Sequence, residues 1–110
     1  MGFFDLFKSM DINEGIKKMK ATEGAVLLDV RTREEYRDAH IPGSLNIPLD
    51  ELEAASNKIP DKNTPVFVHC LSGARSRQAE HILKHIGYTN ITDIGGINSY
   101  RGETEGGAAK

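Results

Sequence analysis

Three short apolar runs constrain this fold most. They are Ala25-Val26-Leu27-Leu28-Asp29-Val30, Val66-Phe67-Val68-His69 and Asn90-Ile91-Thr92-Asp93-Ile94. Each is bounded by turn residues and too short for a core helix, so each reads as a buried strand. Helix signals lie between them. Asp11 can cap a helix through Ile12, Ile16 and Met19. Thr32-Arg33-Glu34-Glu35 has the spacing of a capping box, and the helix it opens must end before His40-Ile41-Pro42-Gly43. Leu45-Asn46-Ile47 is a short strand stopped by Pro48, and Leu49, Leu52 and Ala55 or Ser56 have helical spacing. Ala79, Ile82, Leu83 and Ile86 form one apolar helical face, with Gly87 as the C-terminal stop. Gly95-Gly96 leads into a last short helix near Ile97 to Arg101. This alternation predicts an α/β fold: an open, mostly parallel sheet of four to five strands with helices on both faces. Parallel strands end on one edge, where ligands gather. Asp29-Val30-Arg31, His69-Cys70 and Gly95-Gly96 are all strand ends, so they are expected to meet.

The chain has 110 residues and suits one domain. Its net charge of −2 gives no default affinity for nucleic acid. One cysteine excludes an internal disulfide and any zinc site with two cysteines of one chain. No apolar run reaches the roughly 18–20 residues of a membrane span. The start, Met1-Gly2-Phe3-Phe4-Asp5-Leu6-Phe7-Lys8, lacks a basic region, and Leu6 stands where a myristoylation motif wants Ser or Thr. A cytoplasmic monomer is the expectation. The Phe-rich segment 1–10 is expected to pack back onto the domain rather than act as an amphipathic tether. The Gly-, Ala- and Glu-rich end from Gly102 is expected to fray, with 103–110 a flexible tail.

The chemistry concentrates in Val68-His69-Cys70-Leu71-Ser72-Gly73-Ala74-Arg75-Ser76. A strand feeds a short loop that opens directly into a helix, and Cys70 sits where the strand stops. If the loop curls around the sulfur, the amides of residues 71 to 75 point at it, and the helix adds its positive end. Both favour the thiolate, which is the nucleophile. Arg75 adds a cation able to fork two oxygens of an anion. A lone cytosolic cysteine is ordinarily a small buried hydrophobe. The strand–loop–helix setting reverses that reading.

These residues resemble the rhodanese-like domains, the single-domain sulfurtransferases. Leu28-Asp29-Val30-Arg31 with Glu35-Tyr36 and His40-Ile41-Pro42-Gly43-Ser44 is similar to the family's amino-terminal signature. Cys70 to Arg75 followed by Ser76 is the second motif. Gly95-Gly96-Ile97 is a weaker third, with Tyr100 where the family often has Trp. The resemblance covers Asp11 to Gly102, giving one domain over 11–102. It implies that the Cys70 thiolate takes a sulfane sulfur from thiosulfate or a persulfide. A Cys70 persulfide then passes the sulfur to cyanide in vitro, or to a thiol or protein thiol in cells. The implied loop is Leu71, Ser72, Gly73, Ala74 and Arg75, with Asp29, Arg31 and Ser76 in support. No cofactor or metal is implied.

Related-fold phosphatases and arsenate reductases separate their Cys and Arg by five residues. Here four intervene, a tighter cradle suited to one sulfur atom. A non-catalytic interaction module would normally lack the cysteine. A sulfur carrier would share the chemistry and borrow specificity from a partner. Asp29 can orient the loop or Arg75, and Arg31 can bind the donor or pair with Glu34 or Glu35; structural roles are favoured for both. Arg75 has two candidate partners, the donor or a carboxylate such as Asp29 or Glu35, with donor binding favoured. Arg77 and Arg101 can assist if they turn inward. His40 reads as a hydrogen-bonded turn residue. His69 neighbours Cys70 on a strand, so its ring should face the other way and form no dyad with the thiol. His81 and His85 have a metal-pair spacing but no third ligand.

Overall fold

A computed structural model describes residues 10–107. The segment expected to pack back or tether lies outside the described residues, except for Met10. Helix α1 spans Ile12–Lys20, and the Asp11 side chain accepts from the Asn13 N–H at its start. Strand β1 is Val26–Asp29 and helix α2 is Arg33–Asp38. The predicted capping box is present in full: Thr32 Oγ1 accepts from the Glu35 N–H, and the Glu35 carboxylate accepts from the Thr32 N–H. Strand β2 is only Leu45–Asn46, cut short by Pro48, whose missing N–H cannot serve a ladder.

The stretch Leu49–Asn57 is a 3₁₀ helix rather than an α-helix. Its apolar residues explain this. Leu49, Leu52 and Ala55 recur every three positions, and in a 3₁₀ helix residues three apart stand on one line. Leu52 and Ala55 are thereby both buried. Strand β3 is Val66–Cys70, buried along its whole length. Helix α3 spans Ala74–His85 and β4 spans Ile91–Gly96, which takes in both glycines that sequence placed after the strand. One turn of 3₁₀ helix, Ile97–Ser99, follows.

The four strands lie in the order β2-β1-β3-β4, and every neighbouring pair is parallel. Alternating residues divide the core. Leu28, Val30, Val68 and Cys70 face α3 and the long 3₁₀ helix, against Leu52, Ala55, Ala79 and Leu83. Leu27, Phe67 and Ile94 face α1, against Ile12, Ile16 and Ile41. The register sets Asp29 opposite His69 and Cys70 opposite Gly96. The strand ends expected to meet therefore do.

The C-terminal segment makes backbone pairings beyond Gly102: Glu105 and His40 exchange both backbone hydrogen bonds, at 2.8 and 2.9 Å, and the Gly107 N–H reaches the Arg37 carbonyl. The Glu105 carboxylate also lies 3.2 Å from His40 Nε2. Backbone pairing of this kind holds a Gly-rich segment whatever its composition. His40 is accordingly a turn residue held on three sides, with Nδ1 2.7 Å from the Tyr36 carbonyl oxygen and its ring stacked on Tyr36.

Candidate active site

Cys70 ends the central strand β3, and its side chain is fully buried. The chain then turns sharply. Gly73 has φ +110°, a left-handed conformation that costs glycine nothing and strains any other residue. That turn brings the Gly73 N–H to 3.0 Å from Cys70 Sγ. Helix α3 starts at the next residue, Ala74. Ser76, buried one turn in, has its hydroxyl 3.6 Å from the sulfur and within reach of the Gly73 and Gly95 carbonyls. Ser76 thus ties the loop to β4. Among the loop residues Leu71 is exposed, with 38% of its surface accessible, although it is apolar.

Gly96 matters for a reason the sequence does not display. A Cβ there would lie 2.3 Å from the Leu71 oxygen and 2.7 Å from Ser72 Cα. The Leu71 carbonyl in turn accepts from the Asn98 N–H at 3.0 Å. The loop therefore rests directly on the β4 backbone and is clipped by the 3₁₀ turn after it. The glycine doublet was the only signal of this contact.

Arg75 faces Glu35. Its Nη1 and Nη2 donate to the two carboxylate oxygens at 2.7 and 3.0 Å, a bidentate pair about 30% exposed on each side. Of the partners expected for Arg75, the structure shows the carboxylate of Glu35. Glu35 takes two of its five N–H donors, and no other acceptor among the described residues is paired with the rest. Glu35 is thus a site residue, reached from α2 through the capping box.

The Arg75 guanidinium holds the Glu35 carboxyl down from 4.5 to about 2, assisted by the Thr32 N–H and hydroxyl and opposed by partial burial. A carboxyl lowered on folding adds stability above its unfolded pKa and loses it as pH falls towards the folded value. Urea midpoints of the wild type are therefore expected to be level in this respect above about pH 5 and to decline between 4.5 and about 2. In Glu35→Gln that part of the decline is absent. Parallel acid limbs for the two proteins would disprove the pairing.

Asp29 and Arg31 find each other rather than the partners expected of them. Arg31 Nε and Nη2 donate to the Asp29 carboxylate at 2.8–3.1 Å, and the Arg31 N–H adds a third contact. Arg31 Nη2 also reaches the Ala39 carbonyl. Asp29 is fully buried and Arg31 only 4% exposed. Asn46 of β2 braces the pair by donating to the Asp29 and Arg31 carbonyls. Neither side chain contacts Arg75 or Glu34. His69 is buried on this same face of the sheet, opposite to Cys70, with Nδ1 3.1 Å from the Cys70 carbonyl oxygen. Its Nε2 is 3.7 Å from the Asp29 carboxylate and has no hydrogen bond.

No described helix is long and apolar enough to cross a membrane. A model of the rhodanese-like domain matches residues 13–103. The thiosulfate sulfurtransferase PspE of Escherichia coli (strain K12) is 44% identical over 71 residues, 64% of this chain and 68% of that protein. The putative sulfur carrier protein YrkF of Bacillus subtilis (strain 168) is 37% identical over 90 residues, 81% of this chain. The chain spans only 48% of YrkF. A solved structure described as a rhodanese with anions from E. coli aligns with TM-score 0.70 and 38% identity, covering 76% of this chain and 99% of that one. With its four parallel strands, its cysteine at the end of the central strand and a family match across nearly all of the described residues, this chain belongs to the rhodanese-like domain family.

Proposed function

We propose that this protein is a sulfurtransferase that carries sulfane sulfur as a persulfide on Cys70. The observation that carries the reading is the chain's one thiol at the mouth of a tight loop, with the Gly73 N–H 3.0 Å from its sulfur. That donor is already aimed when negative charge resides on sulfur, as an oxyanion hole is aimed at oxygen. Similarity to a thiosulfate sulfurtransferase supports the same chemistry.

The thiolate attacks the outer sulfur of thiosulfate. A Cys70 Sγ–S bond forms, the S–S bond of thiosulfate breaks, and sulfite leaves with the electron pair. An acceptor thiolate or cyanide then attacks the outer sulfur of the persulfide. The Sγ–S bond breaks and Cys70 departs as thiolate. The two half-reactions make a ping-pong cycle. Burial of Cys70 suits it: the persulfide moves the transferable sulfur outward by one S–S bond, about 2 Å, towards the acceptor. The three N–H donors of Arg75 not engaged by Glu35 suit the oxygens of an incoming anion. Four residues between Cys70 and Arg75 favour a cradle for sulfur over one for phosphate.

The similarity to a putative sulfur carrier favours a second reading with the same intermediate, in which a partner protein loads or empties Cys70. Intact-protein mass spectrometry tests both. Incubation with thiosulfate, or with a low-molecular-weight persulfide, is expected to add one sulfur atom that cyanide removes. Loading from the persulfide alone would favour the carrier. No loading from either would overturn the proposal.

A further inference from the structure

His69 is a buried titratable side chain that the sulfur cycle leaves without a task. It is fully buried, and its Nε2 has no hydrogen-bond partner. Burial pushes its pKa below the ordinary value; the Asp29 carboxylate and the Cys70 carbonyl oppose that, and Arg31 adds to it. Burial thus favours the neutral ring, which has one N–H to place. Two acceptors compete for it: the Cys70 carbonyl oxygen at 3.1 Å from Nδ1 and the Asp29 carboxylate at 3.7 Å from Nε2. Only the first is within hydrogen-bonding distance. The second is already supplied with three donors by Arg31. The proton therefore belongs on Nδ1, and Nε2 is left as a bare acceptor in the core. A buried polar atom without a partner is costly, so its persistence calls for a return elsewhere.

The return lies in the peptide plane that follows Cys70. In a trans peptide the carbonyl and the next N–H point in opposite directions. His69 and Asp29 lie on the α1 face of the sheet, whereas Cys70 packs with Val68 on the α3 face. We infer that His69 is a positioning residue for the nucleophile: its Nδ1–H draws the Cys70 carbonyl towards the α1 face and so turns the Leu71 N–H towards the face that holds Sγ. The pairing of β3 with β4 shifts register between Val68 and Cys70, so the ladder is irregular at His69 itself, one residue before this peptide. The orphaned Nε2 is the cost of starting the sulfur cradle at the right angle. This inference rests on the reading of Cys70 as the sulfur acceptor.

Amide side chains separate the two ends of the ring, because asparagine places its nitrogen near Nδ1 and glutamine near Nε2. Two rates are measured at neutral pH: alkylation of Cys70 by iodoacetamide, and sulfur loading from thiosulfate. His69→Asn is expected to stay within about threefold of wild type in both, and His69→Gln to fall about tenfold, as loss of one hydrogen bond implies. The fall is expected in kcat, with KM for thiosulfate unchanged. Wild-type rates in His69→Gln, or an equal fall in His69→Asn, would overturn the inference. Should the glutamine variant not fold, the wild type still decides. Two-bond proton–nitrogen NMR is expected to show the Nδ1–H tautomer, and an Nε2–H tautomer would refute the assignment. Alkylation needs no sulfur donor. A wild type that fails to load sulfur would end the sulfurtransferase reading without touching this comparison.

Discussion

Cys70→Ser is expected to reduce thiocyanate formation from thiosulfate and cyanide to the uncatalysed background, with a melting curve close to wild type. The activity falls because a serine hydroxyl is a feeble nucleophile without a neighbouring base, and His69, the adjacent histidine, faces the other side of the sheet. The fold survives because the new oxygen inherits a donor, the Gly73 N–H, and an adjacent hydroxyl, Ser76. A buried polar atom that finds partners costs little, so a change within about 1 kcal/mol is expected. Persistent thiocyanate production by the variant would show that the chemistry does not pass through Cys70.

Asp29→Ala is expected to produce the largest loss of stability of any single change near the site. Arg31 would keep its charge at 4% exposure with only the Ala39 carbonyl to receive it. Breaking one side of a buried ion pair costs about 3–5 kcal/mol. A domain of this size holds only about 5–15 kcal/mol in total. The melting temperature should fall by roughly 12–40 °C at about 4–8 °C per kcal/mol. The pair itself is a different matter. Joint replacement, Asp29→Leu with Arg31→Met, removes both charges and is expected to recover most of the loss. Circular dichroism melts of the three variants measure this. A double variant as unstable as Asp29→Ala would mean that the packing, not the unpaired charge, dominates.

What could be read from the chain was what depends on neighbours in sequence. The strands announced themselves as short apolar runs. Thr32 and Glu35 are three residues apart, so their mutual capping was visible as spacing. The opposite facing of His69 and Cys70 follows from strand alternation alone. What escaped depends on register or path. Glu35 was named as a candidate partner of Arg75 but not singled out over Asp29: Glu35 and Arg75 are 40 positions apart, and only the parallel pairing of β1 with β3 brings the start of α2 to the start of α3. Asp29 and Arg31 were assigned other carboxylates and cations because Glu34, Glu35 and Arg75 offered the same charges. Residues two apart at the end of a strand share a face, and this decided the pairing. The pairing of residue 105 with His40 is likewise invisible in composition, which describes an isolated chain.

The clip between Leu71 and Asn98 has a consequence for the order in which the surroundings of Cys70 are assembled. The cysteine leaves the ribosome well before Gly96 and Asn98, the residues on which its loop rests. Until they arrive, β3 lacks its β4 neighbour, the Leu71 carbonyl has no Asn98 to hold it, and Ser76 has no Gly95 carbonyl to reach. The nascent thiol is then an ordinary cysteine on an unfinished sheet. Its setting is completed only when β4 docks, so the sulfur acquires its surroundings in a sheet that is already closed around it.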